Sequence, residues 1–344
     1  MPADARAALL DRFRDGHPAA LARAISIVES QRAGFQELLH GVLQRGPVAR
    51  RIGLTGPPGA GKSSLLAAIA ATYRARGDRV GVVAVDPTSP YSGGALLGDR
   101  IRMNDLATDP GIFIRSMASR GSLGGLATTT KEVLDLMDRF GFEQVLVETV
   151  GVGQTELEIT SAADTVTVVL VPESGDAIQA MKAGLMEIAD IFVVNKADRP
   201  GAARLVKEIR QALHLREGSA LRDVPAHHGV DLAGAASASP PPAATPAWEI
   251  PVLTTNALAG DGVPDLIQAV DAHGSWLETS GELAVRRRER ARRRVRDVVD
   301  RELRHVAWSS SETTTRLDAG VDRIEAGEAT PYTVAAEIVD ALLR

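Results

Sequence analysis

The chain has 344 residues, 44% of them hydrophobic and 24% charged, and carries a net charge of −5. That length exceeds one mononucleotide-binding domain, the apolar share is enough for a sizeable core, and the acidic balance argues against a nucleic-acid-binding polycation. With no cysteine the chain excludes disulfides, thiolate metal sites and cysteine nucleophiles; no apolar run approaches a membrane span and no secretion signal opens the chain, so a cytoplasmic protein is expected.

Residues 1–45 read as a helical prelude. Ala8, Leu9, Leu10 and Phe13, then Leu21, Ala24, Ile25 and Val28, then Phe35, Leu38, Leu39 and Val42 recur at the three-to-four spacing of a buried helix face. The bland role of a structural cap suits them best. From Arg51 to about Leu277 short apolar runs alternate with helical stretches. Strands are expected at 51–55, 79–85, 112–115, 144–149, 165–171, 190–194 and 250–254, which predicts repeated βα units on a mainly parallel sheet flanked by helices. Ligands of such sheets sit at the carboxyl ends of the strands.

The first strand runs into Gly56-Pro57-Pro58-Gly59-Ala60-Gly61-Lys62-Ser63, followed by Ser64 and the helical pattern Leu65–Tyr73. Strand, glycine-rich loop and helix in that order form the context of a phosphate-binding loop, the P-loop. The glycines let successive N–H groups, through Ala60, point inward at an anion, and the helix N-terminus adds its partial positive charge. Lys62 is expected to reach the β- and γ-phosphates and the Ser63 hydroxyl to bind Mg²⁺.

The second strand ends at Asp86-Pro87, where the carboxylate either serves Mg²⁺ or belongs to a turn that stops the strand. A loop rich in Gly and Ser, 91–98, precedes Asp99-Arg100-Ile101-Arg102, and a flexible stretch with an acidic residue suits a nucleotide-sensing switch. Arg100, Arg102 and Arg115 are equally compatible with phosphate, a partner or plain surface. The fourth strand delivers Glu148, then Gly151 and Gln154, an acid and glycine spacing suited to the metal shell and the γ-phosphate; Glu148 or Gln154 could orient a hydrolytic water. The sixth strand delivers Asn195-Lys196-Ala197-Asp198. The Asp198 carboxylate can accept both N1–H and the 2-amino group of guanine, a pair adenine lacks, while the Lys196 stem lies over the base and Asn195 ties the loops together. Asn256 and Ala257, after the seventh strand, stand where a backbone N–H would meet guanine O6.

Together GPPGAGKSS, VDPTSP, GDRIRM, ETVGVGQ and NKAD resemble the MeaB/ArgK family of GTPases, over nearly the whole chain. The resemblance implies a P-loop G domain and a homodimeric, Mg²⁺-dependent GTPase with a low basal rate. Such a protein gates adenosylcobalamin loading onto methylmalonyl-CoA mutase or a related acyl-CoA mutase, and protects or reactivates it. A cobalamin adenosyltransferase is a further partner it suggests. Family roles fall on Lys62 and Ser63 for phosphate and metal, on Asp86, Asp99 and Glu148 around metal and water, and on Asn195 and Asp198 for guanine. Gln179 and Lys182 lie in a stretch resembling a partner-facing switch, which the residues alone read as a helix start capped by Ser174. Asn256 departs from the small Ser common at its position.

Residues 217–247, rich in Ala, Ser, Thr and Pro, are expected to form a disordered insertion. His227-His228 within it reads as a solvated loop in preference to a metal tract. The G domain is bounded at 46–280. From 281 to 344 a helical arm is expected: eight arginines crowd 286–296, and Ala291, Val295, Val298, Leu303 and Val306 form an apolar stripe. A nucleic-acid helix is the alternative, but interleaved acids favour a dimerisation helix with a solvated basic face; two more helices follow, one ending near Gly327 and one starting at Pro331. No nucleic-acid or membrane partner is expected. A small-molecule kinase or a metallochaperone GTPase for another metalloenzyme is the alternative function, but the first needs an acceptor motif and the second Cys/His clusters, and neither is evident.

Overall fold

The computed structural model describes residues 1–44, 46–86, 106, 108–118, 128–149, 158–172, 184–220 and 247–343, with backbone alone at 86, 128 and 217–220. These residues fall into two units, 1–286 and 287–344.

The first unit is built on a seven-stranded sheet. Its strands are β1 (Arg50–Thr55), β2 (Val80–Asp86), β3 (Ile112–Ala118), β4 (Gln144–Glu148), β5 (Thr165–Leu170), β6 (Ile191–Asn195) and β7 (Val252–Thr255). Their order is β3-β2-β4-β1-β5-β6-β7, and every neighbouring pair is parallel. Each strand falls on an expected apolar run. The central ones are buried along their length, as the burial of both faces in a parallel sheet demands.

One face carries α4 (Lys62–Ala75) and α7 (Val263–Ser280), whose Leu65, Leu66, Ile69, Leu266 and Ile267 pack on Ile52, Leu54, Leu146 and Val193. The other carries the prelude α1 (Ala3–Arg14), α2 (Pro18–Glu29) and α3 (Phe35–Leu43), together with α5 (Thr128–Phe140) and α6 (Ala202–Ala220). Leu21, Ile25, Val28 and Leu38 are fully buried, and Phe13 meets Phe140 edge-on at 5.2 Å, so the prelude is part of the core. Its exit is fastened by charge. Asp138 accepts the N–H groups of Val48 (2.7 Å) and Ala49 (2.9 Å) with one oxygen, and Arg51 Nε (3.1 Å) and Nη2 (2.7 Å) with the other. Arg115 pairs with Glu29 of α2, which gives it a structural partner in place of the phosphate or partner role open in the sequence.

Helix α6 reaches Ala220, so the first four residues of the insertion expected at 217–247 are helical; 221–246 lie outside the described residues. Helix α8 (Glu282–Ser309) begins in the first unit. In the second, α9 (Ser311–Glu325) and α10 (Pro331–Leu342) pack where Gly320 leaves room for Val334, and Thr330 with Thr333 forms the capping box that starts α10. No helix among the described residues is long and apolar enough to cross a membrane.

Candidate nucleotide site

The site is assembled at the carboxyl ends of β1, β4, β6 and β7. Thr55 closes β1, and Gly56 turns the chain at φ +134°, where a Cβ would stand 2.1 Å from the Val169 carbonyl oxygen of β5. Glycine is therefore required twice over, by dihedral and by space. Gly59 (φ +76°) and Gly61 (φ +82°) complete the curl, and Gly61 N-caps α4 in the left-handed conformation. Pro58 and Gly59 are exposed at the tip, Ser64 is half-buried, and Ala60, Lys62 and Ser63 are buried.

Lys62 donates from Nζ to the carbonyls of Gly56 (2.8 Å) and Pro57 (3.1 Å), so its ammonium lies within the loop. Ser63 Oγ donates to Glu148 Oε1 at 2.8 Å, which brings the first residue pair expected around the metal into contact. Glu148 is only 6% exposed. Beyond it, Thr149 N–H donates to the Leu54 carbonyl (3.1 Å) and Thr149 Oγ1 to Thr55 Oγ1 (2.9 Å).

Asn195 joins three segments. Its Nδ2 donates to the Ala60 carbonyl of the phosphate loop (2.9 Å), and its Oδ1 accepts Thr255 Oγ1 (3.0 Å) and Ala257 N–H (3.1 Å). Lys196 follows at φ +57°, a left-handed conformation unusual outside glycine, with its stem near Gly61. Asp198 is exposed, so its carboxylate discriminates against adenine only once a bound base has covered it.

Asn256 shapes the base-side turn. Its N–H donates to Asp261 O (2.9 Å), and its side-chain Oδ1 accepts Leu258 N–H (3.2 Å) and Ala259 N–H (3.3 Å), an Asx turn that the usual serine would make more weakly. The Asn256 N–H is engaged by Asp261 O and the Ala257 N–H by Asn195 Oδ1.

The backbone of Asp86 ends β2 as expected, while its side chain, like Asp99, Gly151, Gln154, Gln179 and Lys182, lies outside the described residues. Sequence reasoning missed Thr55 and Thr149; the signal available was a threonine at the last position of β1 and another directly after β4.

The donor set fits a hard cation. Ser63 and Glu148 offer oxygen ligands, the chemistry Mg²⁺ prefers, and they face each other across the start of α4.

A glycine-rich loop between a buried strand and a helix, with lysine and serine at its end and a carboxylate on the neighbouring strand, defines a P-loop nucleoside triphosphatase. The comparisons narrow the class. The family model for methylmalonyl-CoA mutase-associated GTPase MeaB matches residues 21–312, and the chain belongs to that family of GTPases. A Pyrococcus abyssi (strain GE5 / Orsay) relative with a GTPase designation is 44% identical over 291 residues, 85% of this chain and 83% of its own. GTPase ArgK of Escherichia coli (strain K12) is 36% identical over 276 residues, 79% of this chain and 77% of its own. Among solved structures, one of an LAO/AO transport system kinase superposes with a TM-score of 0.70 at 26% identity, covering 100% of this chain and 99% of that one.

Proposed function

We propose that this GTPase is a nucleotide-gated chaperone of an adenosylcobalamin-dependent acyl-CoA mutase, acting on methylmalonyl-CoA mutase or a relative of it. The observation that carries the nucleotide half is the Asn195 staple. One side chain spans the phosphate loop and the base-side turn, so the two ends of a bound nucleotide are read by one connected frame. Membership of a family described by its association with methylmalonyl-CoA mutase supports the client half.

In this reading Lys62 leaves its loop carbonyls for the β- and γ-phosphate oxygens, and the N–H groups of 56–61 wrap the phosphates. Ser63 and Glu148 would hold Mg²⁺ with Asp86 and Asp99, and the ion would supply positive charge to offset that developing on the phosphates. Glu148 or Gln154 orients the attacking water, and Gly151 N–H meets the γ-phosphate. Asp198 accepts the two donors of the guanine edge, with Lys196 over the ring. Gln179 and Lys182 face the partner. Basal hydrolysis is slow because the isolated protein rarely assembles the full set of water-orienting groups, and a docked client raises the rate. The protein works as a homodimer in the cytoplasm, and a cobalamin adenosyltransferase hands the cofactor on.

The test has two arms. Calorimetry should give GTP and GDP about tenfold or more tighter binding than ATP and ADP, with Asp198→Asn erasing the preference. Steady-state GTPase activity should rise when a cobalamin-dependent acyl-CoA mutase is added. Equal guanine and adenine affinities would overturn the nucleotide assignment. A rate and a cofactor loading that no such mutase alters would overturn the chaperone reading and leave the GTPase intact.

A further inference from the structure

The Thr55–Thr149 hydroxyl pair is buried, bonded and absent from every role assigned so far. Thr55 is fully buried and Thr149 is 1% exposed, and their oxygens lie 2.9 Å apart. The register of β1 on β4 ends at Leu54 opposite Glu148. The next residues are these two threonines, so the hydroxyl bond extends the pairing one step past the last ladder contact. Thr149 N–H adds a backbone bond to Leu54 O at 3.1 Å.

Side chains alternate across a strand, so Glu148 and Thr149 leave β4 on opposite faces. Leu54 and Leu146 pack with α4 on one face. Gly53, whose Cβ position would meet Ile159 at 2.5 Å, shows that Val147 and Ile159 occupy the other. Glu148 therefore reaches Ser63 on the α4 face, while the threonines grip one another on the far face. The start of the phosphate loop is held on both flanks, by Thr149 from β4 and by the close approach of Gly56 to Val169 of β5.

We propose that the Thr55–Thr149 bond is a positioning device for the metal ligands: it fixes the β4 terminus against the phosphate loop so that the Glu148 carboxylate and the Ser63 hydroxyl stay at a common Mg²⁺ site. The inference rests on the assignment of Ser63 and Glu148 to Mg²⁺. In this proposal the threonines act through the backbone they hold and are not themselves metal ligands. Loss of the bond lets the β4 end drift, which weakens Mg²⁺ and leaves the phosphate loop's own contacts in place.

The experiment measures release of fluorescent mant-GDP from the full-length protein across a Mg²⁺ titration. Thr149→Val and Thr55→Val keep the branched shape and remove one partner each. Each should raise the half-saturating Mg²⁺ concentration about fivefold, the equivalent of one ordinary hydrogen bond. GDP release in EDTA should stay within about twofold of wild type. The double variant should show the same shift as either single one, because one interaction cannot be lost twice. Thr149→Ser, which retains the hydroxyl, should behave as wild type.

Unchanged Mg²⁺ dependence in both valine variants, with a lowered melting temperature, would reduce the pair to a structural bond and overturn the proposal. Additive shifts in the double variant would overturn it too, since the residues would then act separately. Wild-type release that ignores Mg²⁺ altogether would remove the metal site on which the proposal stands.

Discussion

Replacing Asn195 by alanine deletes one donor and one twice-used acceptor from a side chain that is 2% exposed. The bonds lost run to the Ala60 carbonyl, the Thr255 hydroxyl and the Ala257 N–H. At roughly 0.5–1.5 kcal/mol of net stabilisation each, the loss of the three costs about 1.5–4.5 kcal/mol before any desolvation penalty on the orphaned groups. For a unit of this size that is a fall of at least several degrees in Tm. Urea unfolding of nucleotide-free protein gives the stability change directly, and calorimetry with GDP gives the second consequence. The phosphate loop and the base turn are then no longer joined, so affinity falls along with stability. Asp198→Asn is the control. Asp198 is exposed, so that change should leave the urea midpoint in place and alter only base preference. An Asn195→Ala protein that unfolds within about 0.5 kcal/mol of wild type would refute the three-way staple.

Two further outcomes follow from other parts of the chain. Asp190 is nearly buried, which pushes its carboxyl up, but hydrogen bonds and charge from His273 and Arg286 outweigh burial and hold it below the usual carboxylate range. A depressed folded value stabilises above the unfolded carboxylate value near 4 and loses that stabilisation as pH falls through the folded value. Urea midpoints should therefore show wild type more stable than Arg286→Met at neutral pH, with the gap closing below about pH 4; a gap independent of pH would contradict the assignment. In the second unit, Val295, Val299, Leu303 and Val306 recur at helical spacing on α8 and are all exposed. Full-length protein at micromolar concentration should scatter light as a dimer, and Val299→Glu with Leu303→Glu should shift it to monomer; a wild-type monomer would defeat the dimer proposal.

The sheet was legible because each of its seven strands carries a short apolar run, nearly unbroken in the central strands that are buried on both faces. The phosphate loop was legible because its chemistry is local: eight consecutive residues carry the glycines, lysine and serine. What stayed hidden were contacts between residues far apart in sequence. Arg51, Asp135 and Asp138 look like surface charges in one dimension, yet Arg51 Nη2 lies 2.7 Å from both carboxylates and Asp138 is fully buried. His273 reads as a lone helical histidine, but it is fully buried between Thr165 Oγ1 at 2.8 Å and Asp190 Oδ1 at 3.3 Å. No periodicity announces such pairs, because neither partner alone departs from an ordinary surface pattern. The exposure of Asp198 was hidden for the opposite reason: the motif names the residue, and the fold decides its surroundings.

The two ends of the sheet are fastened by different forces, and the difference follows from the ligand. At the amino ends of the strands, Asp138 holds Arg51 and the prelude exit, and Asp190 holds Arg286 and Val166 N–H. These are ion pairs and charge-assisted bonds, strong because they are partly removed from water. At the carboxyl ends, the Asn195 staple, the Thr55–Thr149 pair and the Asx turn of Asn256 are neutral. A fixed carboxylate about 4 Å from a phosphate oxygen would cost about 4 kcal/mol per unit charge pair at the effective dielectric of a protein surface. Neutral staples fix the loops without that repulsion. Among the described residues Glu148 is the exception, and the proposed Mg²⁺ would account for it, since a buried carboxylate beside the phosphate loop is tolerable when a hydroxyl partners it and a divalent cation would offset its charge.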